Sequence, residues 1–307
     1  MLMLLDSAGL YFRAFHAAPE SITAPDGTPT NAVRGFLDMT AALVAARRPT
    51  QLVACWDDDW RPEWRVALIP SYKTHRVAVD GQGQDEPASL SAQVDIISDV
   101  LAALGLARVG APGYEADDVI GTLARRSGAA GERVEVVTGD RDLIQLVDDA
   151  AGIRVLYVGR GIRRMEVLDE AAVHAGYGVS PQQYADLAIL RGDPSDGLPG
   201  IPGVGARTAA ELVTRFGSAQ GVLTALDDGS ATIRPSVAAA MRAGRAYLEA
   251  AEQVVRVAEV PVPRLDSAIP PAPADPDRLA ELAATWGIDG PLARLQGALA
   301  QALADPA

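Results

Sequence analysis

The chain has 307 residues, 49% of them hydrophobic, with 27 basic and 40 acidic side chains and a formal net charge of −13. That is enough apolar material for one large domain or two closely packed ones, which excludes a disordered chain. The apolar runs are too short to cross a bilayer, the N-terminal Met-Leu-Met-Leu-Leu-Asp lacks the basic flank and cleavage site of a signal peptide, and a single cysteine, Cys55, allows no intrachain disulfide, so a reducing cytoplasm is the expected setting.

In chain order, Met1 to Leu5 is a short apolar run closing on Asp6, and Gln51 to Trp56 is another closing on Asp57. Both predict buried strands with an acid at the carboxyl end. Cys55 lies within the second run and reads as a buried structural thiol rather than a nucleophile. Tyr72, Lys73 and Arg76 would share one turn of a helix, where the plain alternative is a solvated basic face. Lys73 is the only lysine among the 27 basic residues. A composition that replaces lysine elsewhere marks this position as one where a compact ammonium is required. Val77 to Ala92 is polar and glycine-rich without apolar periodicity, and predicts a loop.

Pro112-Gly113-Tyr114 stops one element, and Glu115-Ala116-Asp117-Asp118 opens a helix over Val119 to Arg126. Acids in a first turn suit the helix dipole, so any one of them reads as a cap, but three in four residues exceed what capping needs. Val134 to Val137 predicts a third strand, leading through Thr138-Gly139 to Asp140 and Asp142. Strands alternating with helices predict an α/β fold, a mostly parallel central sheet flanked by helices, whose ligands bind beyond the carboxyl ends of the strands. The sheet would gather Asp6, Asp57, Asp140 and Asp142 at one edge, joined by Glu115, Asp117 and Asp118 and by the pair Asp193 and Asp196. Nine carboxylates at one place need cations, and an all-oxygen donor set selects Mg²⁺ or Mn²⁺ over zinc. With those nine set aside, 27 basic residues face 31 acidic ones, which leaves room for a local basic track toward a polyanion. His16, His75 and His174 are too scattered for a site of their own.

Gly192 to Gly205 joins the pair Asp193 and Asp196 to a glycine–proline turn, Gly-Leu-Pro-Gly-Ile-Pro-Gly-Val-Gly. Tyr184 to Arg191 before it reads as a helix, and after it Ala209, Leu212, Val213 and Phe216 fall at i, i+3, i+4 and i+7 of another. Glycines let backbone amides approach a phosphate, and the following helix N-terminus attracts anions. The proline content and the helix before it argue against a dinucleotide loop, and no Gly-Lys-Ser/Thr follows to make a Walker loop. Beyond Val260, six prolines make an extended connector, and 277–286 and 291–304 predict two last helices of unreadable function.

The turn resembles the helix–hairpin–helix element of DNA-binding enzymes, which implies that Gly200, Gly203, Gly205, Arg207 and Thr208 hold a duplex backbone, with K⁺ at the hairpin carbonyls. The chain as a whole resembles the bacterial and phage 5′-nuclease family, the flap endonucleases and the 5′→3′ exonuclease domain of DNA polymerase I. The resemblance runs from Asp6 to about Gly217 on residues 6–16, Thr30 to Phe36, Tyr72 to Arg76, Tyr114 to Gly121, Thr138 to Asp142 and the hairpin segment. It implies the PIN-like 5′-nuclease fold, with a nuclease domain over 1–178, a flexible arch around 70–95, and a helical region over 179–307 with its hairpin at about 190–217. It also implies a first metal at Asp6, Asp57, Glu115 and Asp117, a second at Asp140, Asp142 and Asp196, and outer or additional-ion roles for Asp118 and Asp193. Lys73 and Arg76 would contact the scissile phosphate, Tyr72 would stack on a base, and Arg13 and Arg34 match positions near the substrate. The activity implied is two-metal hydrolysis of 5′-flapped, nicked or gapped DNA in replication and repair, leaving a 5′-phosphate and a 3′-hydroxyl. A stand-alone monomer without a fused polymerase is expected, with polymerase and ligase as pathway partners. A related-fold endoribonuclease of the PIN type and a noncatalytic DNA-binding protein are the alternatives; PIN domains are usually shorter and lack the hairpin, and the full set of acids speaks against the second.

Overall fold

The computed structural model describes residues 1–79, 81 and 83–306. Its centre is a sheet of six strands, β1 (Leu2–Asp6), β2 (Gln51–Cys55), β3 (Ala107–Val109), β4 (Val134–Thr138), β5 (Ile153–Tyr157) and β6 (Glu166–Leu168), in the order β3-β2-β1-β4-β5-β6. All neighbours are parallel except β5 and β6. The three strands expected from apolar runs are the three central ones, because a strand covered on both faces must be apolar at every position. Alternation then sorts side chains between two cores: Leu2, Leu4, Val53, Cys55, Val134 and Val136 enter one, while Met3, Leu5, Leu52, Ala54 and Val137 enter the other. Cys55 is fully buried, and burial raises its thiol well above the usual range, as a structural thiol requires.

The chain winds from β1 outward to β3, then returns to β4 on the other side of β1. Connections leave β1 and β4 in opposite directions, which opens a crevice at their carboxyl ends. Asp6 ends β1 and Asp140 follows β4, so both flank that crevice.

Helices cover both faces. The 116–129 helix and the 184–191 and 206–216 helices flanking the hairpin pack in the first core, and the 7–17, 31–47 and 88–104 helices in the second. The last two helices, Pro276–Trp286 and Asp289–Ala304, add Leu279, Leu282, Ile288, Leu292 and Leu295 to the second core, so their apolar faces extend the central fold. The connector before them runs beside β2, where the Leu52 amide donates to Ser267 O and the Ile269 amide to Thr50 O.

Two local expectations change. The helix Ala88–Leu104 begins inside the stretch read as loop, and buries Leu90 completely. Asp80, in the same stretch, lies outside the described residues. Tyr72, Lys73 and Arg76 do not share a regular helix: Lys73 is left-handed at φ 48°, and a 3₁₀ turn over Thr74–Arg76 follows it. Tertiary bonds hold that turn, as the Lys73 amide donates to Asp196 O at 3.0 Å and Ser71 Oγ to Gly197 O at 2.7 Å. A side chain on Gly197 would collide with the Ser71 carbonyl, so the two loops meet backbone to backbone.

Candidate metal centre and nucleic-acid interface

A cleft of about 380 Å³ lies at the carboxyl edge of the sheet, lined by Asp6, Asp57, Glu115, Asp117 and Asp140, with Arg13, Lys73 and Arg76 among them. Local bonds explain how the acids are aimed. Asp6 caps the 7–17 helix through Gly9 N at 2.9 Å, and its other oxygen accepts Thr138 Oγ1 at 2.8 Å. The same Thr138 hydroxyl accepts the Asp140 amide at 2.8 Å, so one side chain sets both acids across the crevice. Asp57 Oδ1 accepts the Ala116 amide at 2.7 Å, at the start of the helix that Glu115 caps. Capping and clustering are thus one arrangement: each cap bond orients a carboxylate and leaves lone pairs toward the cleft.

Burial, first of all, opposes ionisation of these acids. Burial, with neighbouring acids adding to it, raises Asp6, and raises Asp117 and Asp142 well above the carboxylate range. Burial likewise pushes Asp57 and Asp196 up to about 6 despite the opposing pull of Lys73. Burial alone would lower the Lys73 ammonium, yet Glu115, Tyr72, Asp196 and Asp57 hold it well above its usual value. Its Nζ stands 2.5 Å from Glu115 Oε2. Among the described residues, buried Asp142 Oδ1 has no hydrogen-bond partner, an orphan that a cation or a cation-held water would satisfy. Among the described residues no three acids close on one point as a ready-made ligand set. The donor chemistry, oxygen throughout, still fits Mg²⁺ or Mn²⁺.

The acids divide by place. Asp142 and Asp196 are buried beside the cleft rather than in its lining, although each feels the charge of Asp140. Asp118, expected in an outer or additional-ion role, is engaged by the protein itself. It is fully buried, takes both forks of Arg65 at 2.9 and 2.7 Å, and accepts the amides of Glu115 at 3.2 Å and Ala258 at 2.8 Å, so its oxygens face protein donors. Asp193 also spends its carboxylate locally, accepting Ser195 N at 2.9 Å and Arg191 Nη2 at 3.3 Å. It shapes the turn that presents Asp196, since the Asp193 and Leu198 backbones bond reciprocally around it.

Among the cations, Arg13 lines the cleft and donates to Gly159 O at 3.0 Å, and Arg76 reaches Ser195 O at 2.6 Å and Asp196 Oδ1 at 3.1 Å. Arg34 lies elsewhere, bonded to Gly287 O at 2.5 Å, where it fastens the last helices to the 31–47 helix. Tyr72 also departs from expectation. It is 3% exposed and its hydroxyl donates to Glu115 at 2.8 Å, which leaves no free ring face for a base. The aromatics that do line the cleft are Phe12, inside the 6–16 segment but not singled out there, and Trp60. The three histidines are exposed and line no part of it.

The hairpin is held from behind. Gly200, at φ 67°, packs so tightly against Arg191 and Gly192 that a Cβ would sit 2.5 Å from the Gly192 amide. The Gly200 amide donates to Tyr247 Oη at 3.2 Å, so the expected phosphate contact at this residue gives way to a structural one. Gly203 and Gly205 are exposed with open space at the Cβ position, and among the described residues their amides have no protein acceptor. The 206–216 helix begins at Gly205 without a side-chain cap, leaving its first amides free for an anion. Arg207 stands exposed beside Glu211 at 3.0 Å, and Thr208 Oγ1 accepts Arg234 at 3.4 Å.

Comparison with known proteins agrees with this arrangement. Residues 1–178 match the model of the 5′-3′ exonuclease N-terminal resolvase-like domain, and residues 179–275 that of the 5′-3′ exonuclease C-terminal SAM fold. A 5′-3′ exonuclease of Streptomyces coelicolor is 54% identical over 95% of this chain and 98% of its own length. One of Mycobacterium tuberculosis is 49% identical over 97% of each. The bacteriophage T5 D15 flap endonuclease, solved as a pseudo-enzyme-product complex with DNA and metal ions, shares the fold at a TM-score of 0.65 and 16% identity, over 99% of both chains. The two matched models cover most of the chain, and with them the acids, the lysine turn and the hairpin: the chain belongs to the 5′-3′ exonuclease family, and is a hydrolytic nuclease.

Proposed function

We propose that this nuclease acts on DNA carrying a 5′ flap, nick or gap, with two divalent ions, Mg²⁺ or Mn²⁺, in the acid-lined cleft and the duplex held by the hairpin. The observation that carries this reading is the docking of the Lys73 turn onto the 193–198 turn, whose far end continues into the hairpin. One loop contact therefore joins a catalytic cation, a metal-site acid and a duplex-binding element.

Asp6, Asp57, Glu115 and Asp117 would hold one ion and Asp140, Asp142 and Asp196 the other. Such a pair, when bound, supplies an activated water and charge compensation for the leaving oxygen in an in-line displacement at phosphorus. The chain's own residues do the rest. Gly203, Gly205 and the first amides of the 206–216 helix hold backbone phosphates without reading bases, with Arg207 and Thr208 at their side. K⁺ at the hairpin carbonyls belongs to the same reading. Arg13 and Arg76 border the cleft and favour the scissile phosphate there; Lys73 offers an ammonium to the charge that develops on it. Thr138 and the helix caps keep the acids oriented, and Tyr72 steadies Glu115. The product would be a 5′-phosphate and a 3′-hydroxyl, handed to polymerase and ligase, with the enzyme acting as a monomer. Residues 1–178 would form the nuclease unit, with its arch around 70–95, and 179–307 the helical one.

Incubating the protein with a 5′-labelled flap, a nicked duplex and single-stranded RNA, each with Mg²⁺ and with EDTA, tests this. Mg²⁺-dependent release from the DNA substrates is expected; cleavage of RNA alone would refute the substrate assignment.

A further inference from the structure

Arg65 makes more bonds to distant parts of the chain than the cleft itself requires. Its side chain is 3% exposed, and Nε donates to Val254 O at 3.1 Å while Nη1 and Nη2 grip Asp118. Nη1 also lies 3.3 Å from Glu115 Oε1. Asp118 in turn accepts the amides of Glu115 and Ala258. A guanidinium and a carboxylate are both removed from water here, an arrangement that apolar side chains of equal volume would match in stability without the desolvation cost. What the ion pair provides is geometry: a planar fork that fixes three chain segments, 63–68, 115–118 and 254–258, at defined angles.

Two of those segments lead to functional parts. Glu115 lines the cleft, with Oε1 beside Arg65 and the Tyr72 hydroxyl and Oε2 on Lys73. Val254 lies in the last turn of the 245–255 helix, and Tyr247, seven residues earlier and so about two turns back on the same face, bonds both Gly200 N at 3.2 Å and Ile189 O at 3.0 Å under the hairpin. The span is about 10 Å of rigid helix.

We propose that Arg65 is a positioning residue: with Asp118 it sets the Glu115 carboxylate for cation binding and fastens it to the helix that supports the hairpin, so that cation binding and duplex seating favour one another. Linkage makes that coupling reciprocal, since whatever the duplex does for the cation the cation does for the duplex. The inference rests on the metal-dependent DNA nuclease reading above.

Arg65→Lys keeps the charge but cannot span Asp118 and Val254 O together, and Asp118→Asn keeps the shape but loses the ion pair. Thermal stability of each protein is measured across a Mg²⁺ titration, free and with a duplex too short to be cleaved. In both variants the Mg²⁺ midpoint should rise ~10-fold or more, the scale for residues that orient a metal ligand. The duplex should lower the midpoint of the parent and not of Arg65→Lys, and single-turnover cleavage should recover at saturating Mg²⁺. A lowered melting temperature in EDTA with an unmoved Mg²⁺ midpoint would mean that Arg65 only supports the fold, and the proposal would fall. If both variants fail to fold, amide exchange in the unmodified protein decides: saturating Mg²⁺ should slow exchange at Ala258, and an unchanged rate there overturns the proposal. A parent whose stability and cleavage ignore Mg²⁺ would overturn the nuclease reading together with this one, whereas a responsive parent with unshifted variants overturns this one alone.

Discussion

The cleft and the hairpin are joined through the 193–198 turn, yet they are built on opposite principles. The cleft works through side chains held against their own electrostatic preference: Asp57 and Asp196 are pushed up to about 6 by burial, and Lys73 is held charged by the acids around it. The hairpin works through side chains that are missing, with Gly203 and Gly205 open to the outside and Gly200 pressed inward. Charge placed under strain is suited to chemistry at one phosphorus atom; bare backbone is suited to holding any sequence. Each region should therefore fail in its own way when altered.

The largest effect is expected in the cleft. Asp140→Ala or Asp196→Ala removes an acid from the proposed second ion position, and cleavage should fall by more than the ~10²–10³-fold typical of one preorganised donor, while duplex binding in Ca²⁺ persists. Near-normal turnover of either variant at saturating Mg²⁺ would break the division of labour between the two regions.

Lys73→Ala comes next, with single-turnover cleavage of a 5′ flap slower by ~10²–10³-fold. Lys73→Arg should not restore the full rate, because a planar fork cannot occupy the point the ammonium holds 2.5 Å from Glu115. Lys73 sits at φ 48°, where a residue other than glycine costs roughly 1–2 kcal/mol. That cost is common to parent and variants, so comparing Lys73→Ala with Lys73→Arg isolates the side chain. An arginine variant as fast as the parent would make the lone lysine an accident of composition.

These residues also show what a sequence carries and what it leaves out. The central strands and the acids that end them were readable, because burial on both faces forces a continuous apolar run and the fold then fixes where the run stops. The short edge strands β3 and β6, three residues each, were not, since so few positions establish no period. Asp118 was readable as an acid at a helix start, but its partner Arg65 lies 53 residues away in an unremarkable basic position. Lys73 was legible by composition and misplaced by periodicity, because its turn is shaped by contacts with Asp196 and Gly197 rather than by local propensity. Tyr247, which holds the hairpin from below, gave no sign at all in the sequence.

A third test weighs the strain in the cleft directly. Asp57 and Asp196 stand at about 6 against a usual value of 3.8, so the folded protein binds their protons more tightly than the unfolded chain does. The stability tied to those protons is complete below pH 3.8 and is lost as pH rises through about 6. In EDTA the melting temperature should therefore be higher near pH 5 than near pH 7.5, by roughly several degrees, with other titrations superimposed. Mg²⁺ should shrink that difference by favouring the ionised carboxylates. Equal pH profiles with and without Mg²⁺ would mean that the cation does not bind at these two acids.

The smallest effect belongs to the hairpin, and three glycines there separate fold from binding. Gly200→Ala drives a Cβ into the Arg191 and Gly192 backbone at φ 67°, so it should lower stability first and binding only as a consequence. Gly203→Val adds bulk to an open position but at φ 77°, so its loss of duplex affinity carries some strain, roughly 1–2 kcal/mol. Gly205 is the clean probe, because its φ of −87° suits any residue and nothing in the protein lies within 4 Å of a Cβ built there. Gly205→Val should therefore keep the melting temperature and the single-turnover rate at saturating enzyme, yet weaken duplex binding by about tenfold, roughly the 1.4 kcal/mol that one blocked phosphate approach represents. The loss should be alike for every duplex sequence, since phosphate contacts position without specifying. Fluorescence anisotropy on several duplexes at two salt concentrations measures it; a Gly205→Val protein that binds as tightly as the parent would leave the hairpin a turn between helices and shift the duplex to another surface.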